Sequence, residues 1–303
     1  MLACKSSTVF FERATPDQIT RWRTAAERGV VEAMYLYGRV LLDGPDAVKA
    51  QTAGCDWLRR ASEHNFSLAQ LRLAFCYRDE EGVRRDATET VKLLRKSAEQ
   101  GHATAQCKLG ECYSFGLGVK AELKEGVKWY RKSSQQQNGD GRFQLACAYF
   151  TGRGIKQDTP KAVSLFFEAA SLGSPEAHRL IGSMYEQGDG LPQNDQKAAE
   201  WILKAAELGD SEAMYYAAMY YALGKGVRQN RPLYNEWIEK SAKAGYSDAV
   251  QQMKTGFSFA NSSSTYSSPS ENEQWNEYHR KNDEAREMRN RNGIGNSGSP
   301  YGY

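Results

Sequence analysis

Small and apolar residues recur along this chain at a fixed interval. A small residue stands at Ala33, Ala69, Ala105, Gly141, Ala177, Ala213 and Ala249, always 36 residues apart. Four positions before each stands Gly29, Asn65, Gly101, Gln137, Gly173, Gly209 or Gly245. Within one period the apolar spacing is helical. Ala177, Ile181, Gly182 and Tyr185 fall at i, i+4, i+5 and i+8, one face of a helix. The run Gly188-Asp189-Gly190-Leu191-Pro192 then interrupts any helix. Asn194 is placed to cap a second helix, whose buried stripe is Ala198, Trp201, Ile202, Ala205 and Ala206. Gly209 ends it. The pattern predicts helix, short loop, helix and tight turn in every period, hence an array in which each unit buries itself against its neighbours.

The periodic columns have separate physical jobs. Tyr77, Tyr113, Tyr149, Tyr185 and Tyr221 form one, and Trp57, Trp129, Trp201 and Trp237 another, with Leu93 and Leu165 between. These fill space between units. Gly116, Gly152, Gly188 and Gly224, with Gly82, Gly118, Gly154, Gly190 and Gly226, turn the chain. Asp86, Asp158, Asn194 and Asn230 stand where second helices need N-caps.

These columns resemble the Sel-1-like repeat (SLR) family, relatives of the tetratricopeptide repeats. The resemblance is carried by Leu109-Gly110, Tyr113, Gly116, Gly118-Val119, Trp129 and Lys204-Ala205-Ala206-Glu207-Leu208-Gly209. It covers about residues 20 to 256. It implies an all-α, right-handed α/α superhelix, an α-solenoid of six to seven helix-turn-helix repeats, serving as an adaptor or scaffold. The first loop, Gly44-Pro45-Asp46-Ala47, keeps one of the paired glycines. The stretch from Gln135 to Gly141 replaces the usual ending and puts glycine at the anchor, costing roughly 1 kcal/mol in a helix interior. That junction is expected to be the softest inside the array.

The expected organisation is an N-terminal extension over 1–16, the repeat solenoid over 17–256, a Ser-rich linker over 257–270, a charged helix candidate over 271–292 and a disordered Gly/Ser/Tyr-rich tail over 293–303. Trp275, Tyr278, Ala285 and Met288 give the charged segment a stripe too thin to make a core, so it reads as a dispensable tail, with docking of Trp275 and Tyr278 into the array's own groove as the alternative.

Composition narrows the function. Forty basic against 37 acidic residues leave a net charge of +3, without a run of like charge, which argues against a nucleic-acid partner. No apolar stretch is long enough to span a membrane. His64, His102, His178 and His279 are dispersed, with no metal or nucleophile spacing among them, so neither metal nor cofactor is expected. The Gly-x-Gly pairs follow helices rather than strands and read as turns, not phosphate loops. Among Cys4, Cys55, Cys76, Cys107, Cys112 and Cys147, Cys76 and Cys112 lie one period apart, on helices spaced too widely for a bridge. The cysteines read as small buried apolar residues, pointing to a reducing, cytoplasmic setting. Leu2-Ala3-Cys4 matches the end of a lipoprotein signal, but lacks the apolar segment before it.

The chain therefore reads as a non-enzymatic scaffold, with function on what departs from the period. Positions 2, 3 and 6 past each anchor face neighbouring first helices and the inner side of the array. Tyr35, Arg39, Arg72, Phe75, Lys108, Glu111, Phe143, Arg179, Tyr215 and Tyr216 would line a concave groove there for a peptide or protein segment. Arg39, Arg72, Lys108 and Arg179 against Glu111 would favour acidic ligands. The alternatives are an exported glycan- or peptidoglycan-binding protein with weak hydrolase activity, or a secreted effector.

Overall fold

In the computed structural model, residues 14–44 and 47–255 are described. The expectations for the N-terminal extension before residue 14, for the Ser-rich linker, the charged helix and the tail lie outside the described residues. Among the described residues the chain is all helix, in the order α1 (Pro16–Glu27), α2 (Val31–Asp43), α3 (Ala47–Glu63), α4 (Ser67–Asp79), α5 (Ala87–Glu99), α6 (Ala103–Phe115), α7 (Leu123–Gln135), α8 (Gly139–Thr151), α9 (Thr159–Ser171), α10 (Pro175–Gln187), α11 (Asp195–Glu207), α12 (Ser211–Leu223), α13 (Arg231–Lys243) and α14 (Ser247–Thr255). The chain divides into two compact units, the first ending at Ala177 and the second beginning at His178, within α10.

The local rules of the array are visible bond by bond. All seven residues four before the anchors are left-handed, including the non-glycines Asn65 (φ 60°) and Gln137 (φ 57°). They reverse the chain between a second helix and the next first helix. The expected N-caps are formed. Asp86, Asp158, Asn194 and Asn230 each accept from the backbone N–H three residues on. Glu122, at the same place before α7, makes no such bond. The loop between the helices is closed identically each time. The N–H of Asp86, Glu122, Asp158, Asn194 and Asn230 donates to the carbonyl of Tyr77, Tyr113, Tyr149, Tyr185 and Tyr221, at 2.7–3.1 Å.

In the first unit α2 packs on α3, α4 on α5, α6 on α7 and α8 on α9. The second helices α3, α5 and α7 also meet the following first helices α4, α6 and α8, and the first helices α6 and α8 touch directly. The core runs through the anchors Ala33, Ala69 and Ala105 with Leu58, Leu73, Val91, Leu94 and Leu109. Leu73 and Leu109 are essentially sealed, each worth about 1.5–3 kcal/mol. In the second unit, Ile202, Ala205 and Ala206 of α11 pack on Ala213, Ala217 and Tyr220 of α12. Tyr234 and Ile238 of α13 pack on Tyr215 and Met219 from the other side.

The two helix types differ in burial. Along α12 no residue is fully exposed, and along α6 only Phe115 is. The second helix α5, by contrast, exposes Ala87, Thr88, Lys92, Arg95, Lys96 and Glu99 while burying Val91, Leu94 and Ala98. First helices are enclosed on nearly all sides, so they carry apolar residues around their circumference. Second helices face water on one side and are amphipathic.

Polar side chains also keep the period. Ser97, Ser133 and Ser241 each donate from a second helix to the carbonyl 30 residues upstream, at Ser67, Ala103 and Ser211, over 2.6–2.9 Å. Gln100 and Gln136 each donate to Gln70 and Gln106, again 30 residues upstream, at 2.7 Å. These staples were not read from the sequence, where Ser and Gln look like ordinary polar fillers.

Candidate functional site

The outer face is a solvated surface. Lys92 pairs with Glu89, Lys128 with Glu125, Lys240 with Glu236 and Lys243 with Glu239, all one helical turn apart and exposed. Such pairs contribute only about 0–1 kcal/mol each. The tryptophan column lies beside this face, each ring covered by a cation three residues later. Arg60 lies 4.6 Å from the Trp57 ring centre, Lys132 4.0 Å from Trp129, Lys204 5.3 Å from Trp201 and Lys240 4.4 Å from Trp237.

The inner positions of the first helices are different. In the first unit the Arg39 Nε donates to the Asp43 carboxylate, and its Nη1 donates to the Tyr35 hydroxyl at 3.0 Å. The Arg72 Nη2 reaches the other oxygen of Asp43 at 3.1 Å, and its Nη1 lies 2.7 Å from Glu81 and 3.2 Å from the Cys76 sulfur. Tyr35, Arg39, Asp43, Arg72 and Glu81 thus form one network joining α2 to α4. Burial opposes the Arg72 charge, but the bond to Glu81 and the field of Asp43 outweigh it, and the guanidinium is held well above its usual range. Phe75 is half-buried, with the Arg78 guanidinium 4.5 Å from its ring centre.

Farther along the first unit, Lys108 donates to both oxygens of Glu111, at 3.0 and 3.2 Å. Burial lowers the Lys108 pKa and Glu111 raises it; the net direction is up, so the amine stays charged. Phe143 is 5% exposed and packs on Phe166 of α9, ring centres 5.8 Å apart, so its first role is in the core.

In the second unit Arg179 bridges Asp210 at 3.1 Å and Glu212 at 3.2 Å. The Tyr216 hydroxyl donates to Glu212 at 3.1 Å. Tyr215 is buried between Tyr216 and Tyr246, at centre distances of 5.9 and 5.4 Å.

The structure therefore gathers Tyr35, Arg39 and Arg72 into one cluster, Lys108 and Glu111 into a pair, and Arg179 and Tyr216 into another cluster with Tyr215 beside it. The sequence reading missed the acids that organise them: Asp43, Glu81, Asp210 and Glu212. Arg39–Asp43 and Glu212–Tyr216 are i,i+4 and were open to reading. Arg72–Asp43 crosses from one repeat to the next and Arg179–Asp210 spans 31 residues, so both become visible only with the packing in place. All four basic residues on which a leaning toward acidic ligands rested have carboxylate partners. Each of the four is thus charge-compensated by the chain itself.

Cys55, Cys76, Cys107 and Cys112 are buried free thiols, as expected, and Cys147 is half-buried. Burial raises Cys107, and pushes Cys112 up to about 12. Hydrogen bonding from Cys76, helped by Arg72, lowers the Cys55 thiol, while Cys76, the donor, is raised. Among the described residues no three His, Cys, Asp or Glu side chains are placed to hold a metal ion, and no helix is long and apolar enough to cross a membrane.

An all-α array of helix pairs, several of them joined to the next by periodic staples, with its departures from the period on the inner positions, defines an α-solenoid repeat protein. The chain belongs to the Sel1 repeat family, whose repeat matches residues 31–66, 67–102, 103–138, 139–174, 175–210 and 211–246. Proteins of this family commonly mediate protein–protein interaction and are generally non-enzymatic. Among solved structures, the chain is similar to a protective antigen of uropathogenic Escherichia coli strains displaying an SLR fold, with 30% identity and a TM-score of 0.62. That match covers 80% of this chain and 53% of the other, so this chain spans about half its length. It is also similar to a Sel1 repeat protein from Oxalobacter formigenes, with 25% identity, a TM-score of 0.65, and coverage of 83% of this chain and 99% of that one. An immunity protein from Pseudomonas aeruginosa, 18% identical with a TM-score of 0.51 over 72% of this chain and 85% of that one, shares the fold. No curated protein matches the chain.

Proposed function

We propose that the chain is a non-enzymatic scaffold that holds a peptide or protein segment against the inner positions of its first helices, in a concave groove. The observation that carries this reading is half-burial. Tyr35, Arg72, Phe75, Lys108, Glu111, Arg179 and Tyr216 are neither sealed in the core nor exposed like the second-helix lysines. Partly covered aromatic and Arg side chains, already held in place by hydrogen bonds, lose little entropy on binding. Because the charges are compensated, the segment is held by apolar side chains and backbone hydrogen bonds rather than by a run of acids. Its binding is accordingly expected to be weakly sensitive to salt. The free, buried cysteines support a reducing, cytoplasmic setting.

The test is affinity capture with mass spectrometry on three proteins: wild type, an inner-face variant (Phe75→Ala with Tyr216→Ala) and an outer-face variant (Lys92→Glu with Lys96→Glu). Phe143 is left intact because its loss would test the core. Loss of a captured partner from the inner-face variant alone, with helicity unchanged, is the expected result. Loss from the outer-face variant alone would overturn the reading.

A further inference from the structure

Met253 of α14 stands in the column of Leu73, Leu109, Leu145, Ile181 and Ala217. Those five are buried, at 0–6% exposure, yet Met253 is 53% exposed. Val250, one turn before it on the same face, is also exposed, where Met34, Gln70 and Gln106 are buried. The difference is one of neighbours. Elsewhere a first helix packs on the second helix of its own period, α4 on α5, α6 on α7, α8 on α9 and α12 on α13. Among the described residues no second helix follows α14. The other side of α14 is filled, with Ala249 sealed in the cluster of Tyr234 and Ile238 from α13.

The sequence beyond α14 holds a segment suited to that face. Phe257 continues the column of Tyr185 and Tyr221. In five earlier periods the cap position comes nine residues after this column, and a Leu or Trp seven after the cap, as in Tyr221, Asn230 and Trp237. After Phe257, Ser268 comes eleven residues on and Trp275 seven after it. Ser268, Pro269 and Glu271 form the cap, first-turn proline and acid pattern with which a helix starts.

We propose that the segment from Ser268 to Asn292 of the same chain packs on the Val250–Met253 face of α14, as the second helix of an irregular seventh period. Trp275 and Tyr278, one turn apart, supply the apolar contact. The positions that regular second helices bury, four, eight and eleven past the cap, are here Asn272, Asn276 and His279. The segment is therefore turned about its axis relative to its counterparts, and the two extra residues in the loop before it allow the turn. The covered face is the end of the array. An open end is a seat for a further period, including one from a second copy, so the segment keeps copies apart. The inference concerns this end alone and stands whether or not the inner face binds a peptide.

The experiment is hydrogen exchange read by mass spectrometry on the full chain, as wild type, as Trp275→Ala with Tyr278→Ala, and as Met253→Asp. In the aromatic double variant, residues 247–255 are expected to exchange about tenfold faster than in wild type, with residues 67–138 unchanged. In Met253→Asp, residues 271–285 are expected to lose their protection in turn. Equal exchange of residues 247–255 in wild type and double variant overturns the proposal, as does faster exchange spread evenly over the whole array. Wild-type protection of residues 247–255 that falls on dilution overturns it too, because a second copy would then cover the face. The double variant decides even if Met253→Asp misfolds.

Discussion

Gly118 in the loop after α6 lies against Ala87, the first residue of α5 in the preceding repeat, so closely that a Cβ would fall 2.0 Å from the Ala87 carbonyl oxygen. The same approach joins Gly82 to Gln51, Gly154 to Leu123 and Gly226 to Asp195, each 31 residues upstream. This is how one repeat seats on the last. Gly118 (φ 68°) is also left-handed. Gly118→Ala combines backbone strain with a clash against fixed backbone, and is expected to cost about 2–5 kcal/mol. Gly101→Ala, also left-handed but with open space around it, should cost only about 1–2 kcal/mol. Urea midpoints of the two variants compare them directly; equal losses would show that repeat seating does not depend on this approach.

Glu122 offers a change in the stabilising direction. It occupies the N-cap of α7 without bonding the helix, because its side chain is one methylene longer than the Asp and Asn that cap α5, α9, α11 and α13. Glu122→Asp is expected to add about 0.5–1 kcal/mol by supplying the missing bond to the Glu125 N–H. Thermal unfolding that is unchanged or earlier would contradict this.

Gly141 sets helix propensity against packing. By propensity, Gly141→Ala in α8 gains about 1 kcal/mol. By packing, the new Cβ would sit 2.2 Å from the Ser133 Oγ and 2.5 Å from its Cβ. It would displace the hydroxyl that bonds the Ala103 carbonyl and the Asn138 side chain. Packing is the larger effect, and the net expected change is a loss of about 1–2 kcal/mol. Hydrogen exchange across residues 135–141 checks both this sign and the expectation that the junction opens more readily than its counterparts at Gly173 and Gly209.

The pH dependence centres on Glu186 and Lys225, 2.6 Å apart in the second unit. Burial raises the Glu186 pKa above its usual 4.5 and Lys225 pulls it back only in part. The folded state then holds this proton more tightly than the unfolded state. Its contribution to stability is full below about pH 4.5 and is lost as pH rises through the folded value. Lys225→Met removes the restraint, raises Glu186 further, and is expected to cost about 2–3 kcal/mol at neutral pH. This is less than a fully buried pair because Lys225 stays 20% exposed. The deficit should shrink as the solution is acidified. In Glu186→Gln the slope should vanish. A Lys225→Met deficit that grows on acidification would reverse the assignment.

Much of the fold was legible because its determinants are local. The left-handed turn residues, the caps Asp86, Asp158, Asn194 and Asn230, and the Tyr and Trp columns each act within a few residues of chain, and repetition made them stand out. The inner face was only half legible. Its aromatic and basic members could be read from helical position, but Phe143 belongs to the core between α8 and α9. The charge balance depends on Asp43, Glu81, Asp210 and Glu212, whose partners include residues 29 or 31 positions away. Asp43 and Glu212 each have an i,i+4 partner that one period shows, but nothing in a single period marks Glu81 or Asp210 as different from surface acids. The serine and glutamine staples escaped notice for the same reason: their meaning lies in an offset between helices, not in the residue.

Because these staples and glycine seats keep constant offsets of 30 and 31 residues, copying one whole period would recreate every one of them at the new seams. Inserting any other length would break the links on both sides of the cut. Length is thus an adjustable variable for this architecture, changed only in whole steps, and each added step brings a fresh set of inner-face side chains without asking the existing ones to move.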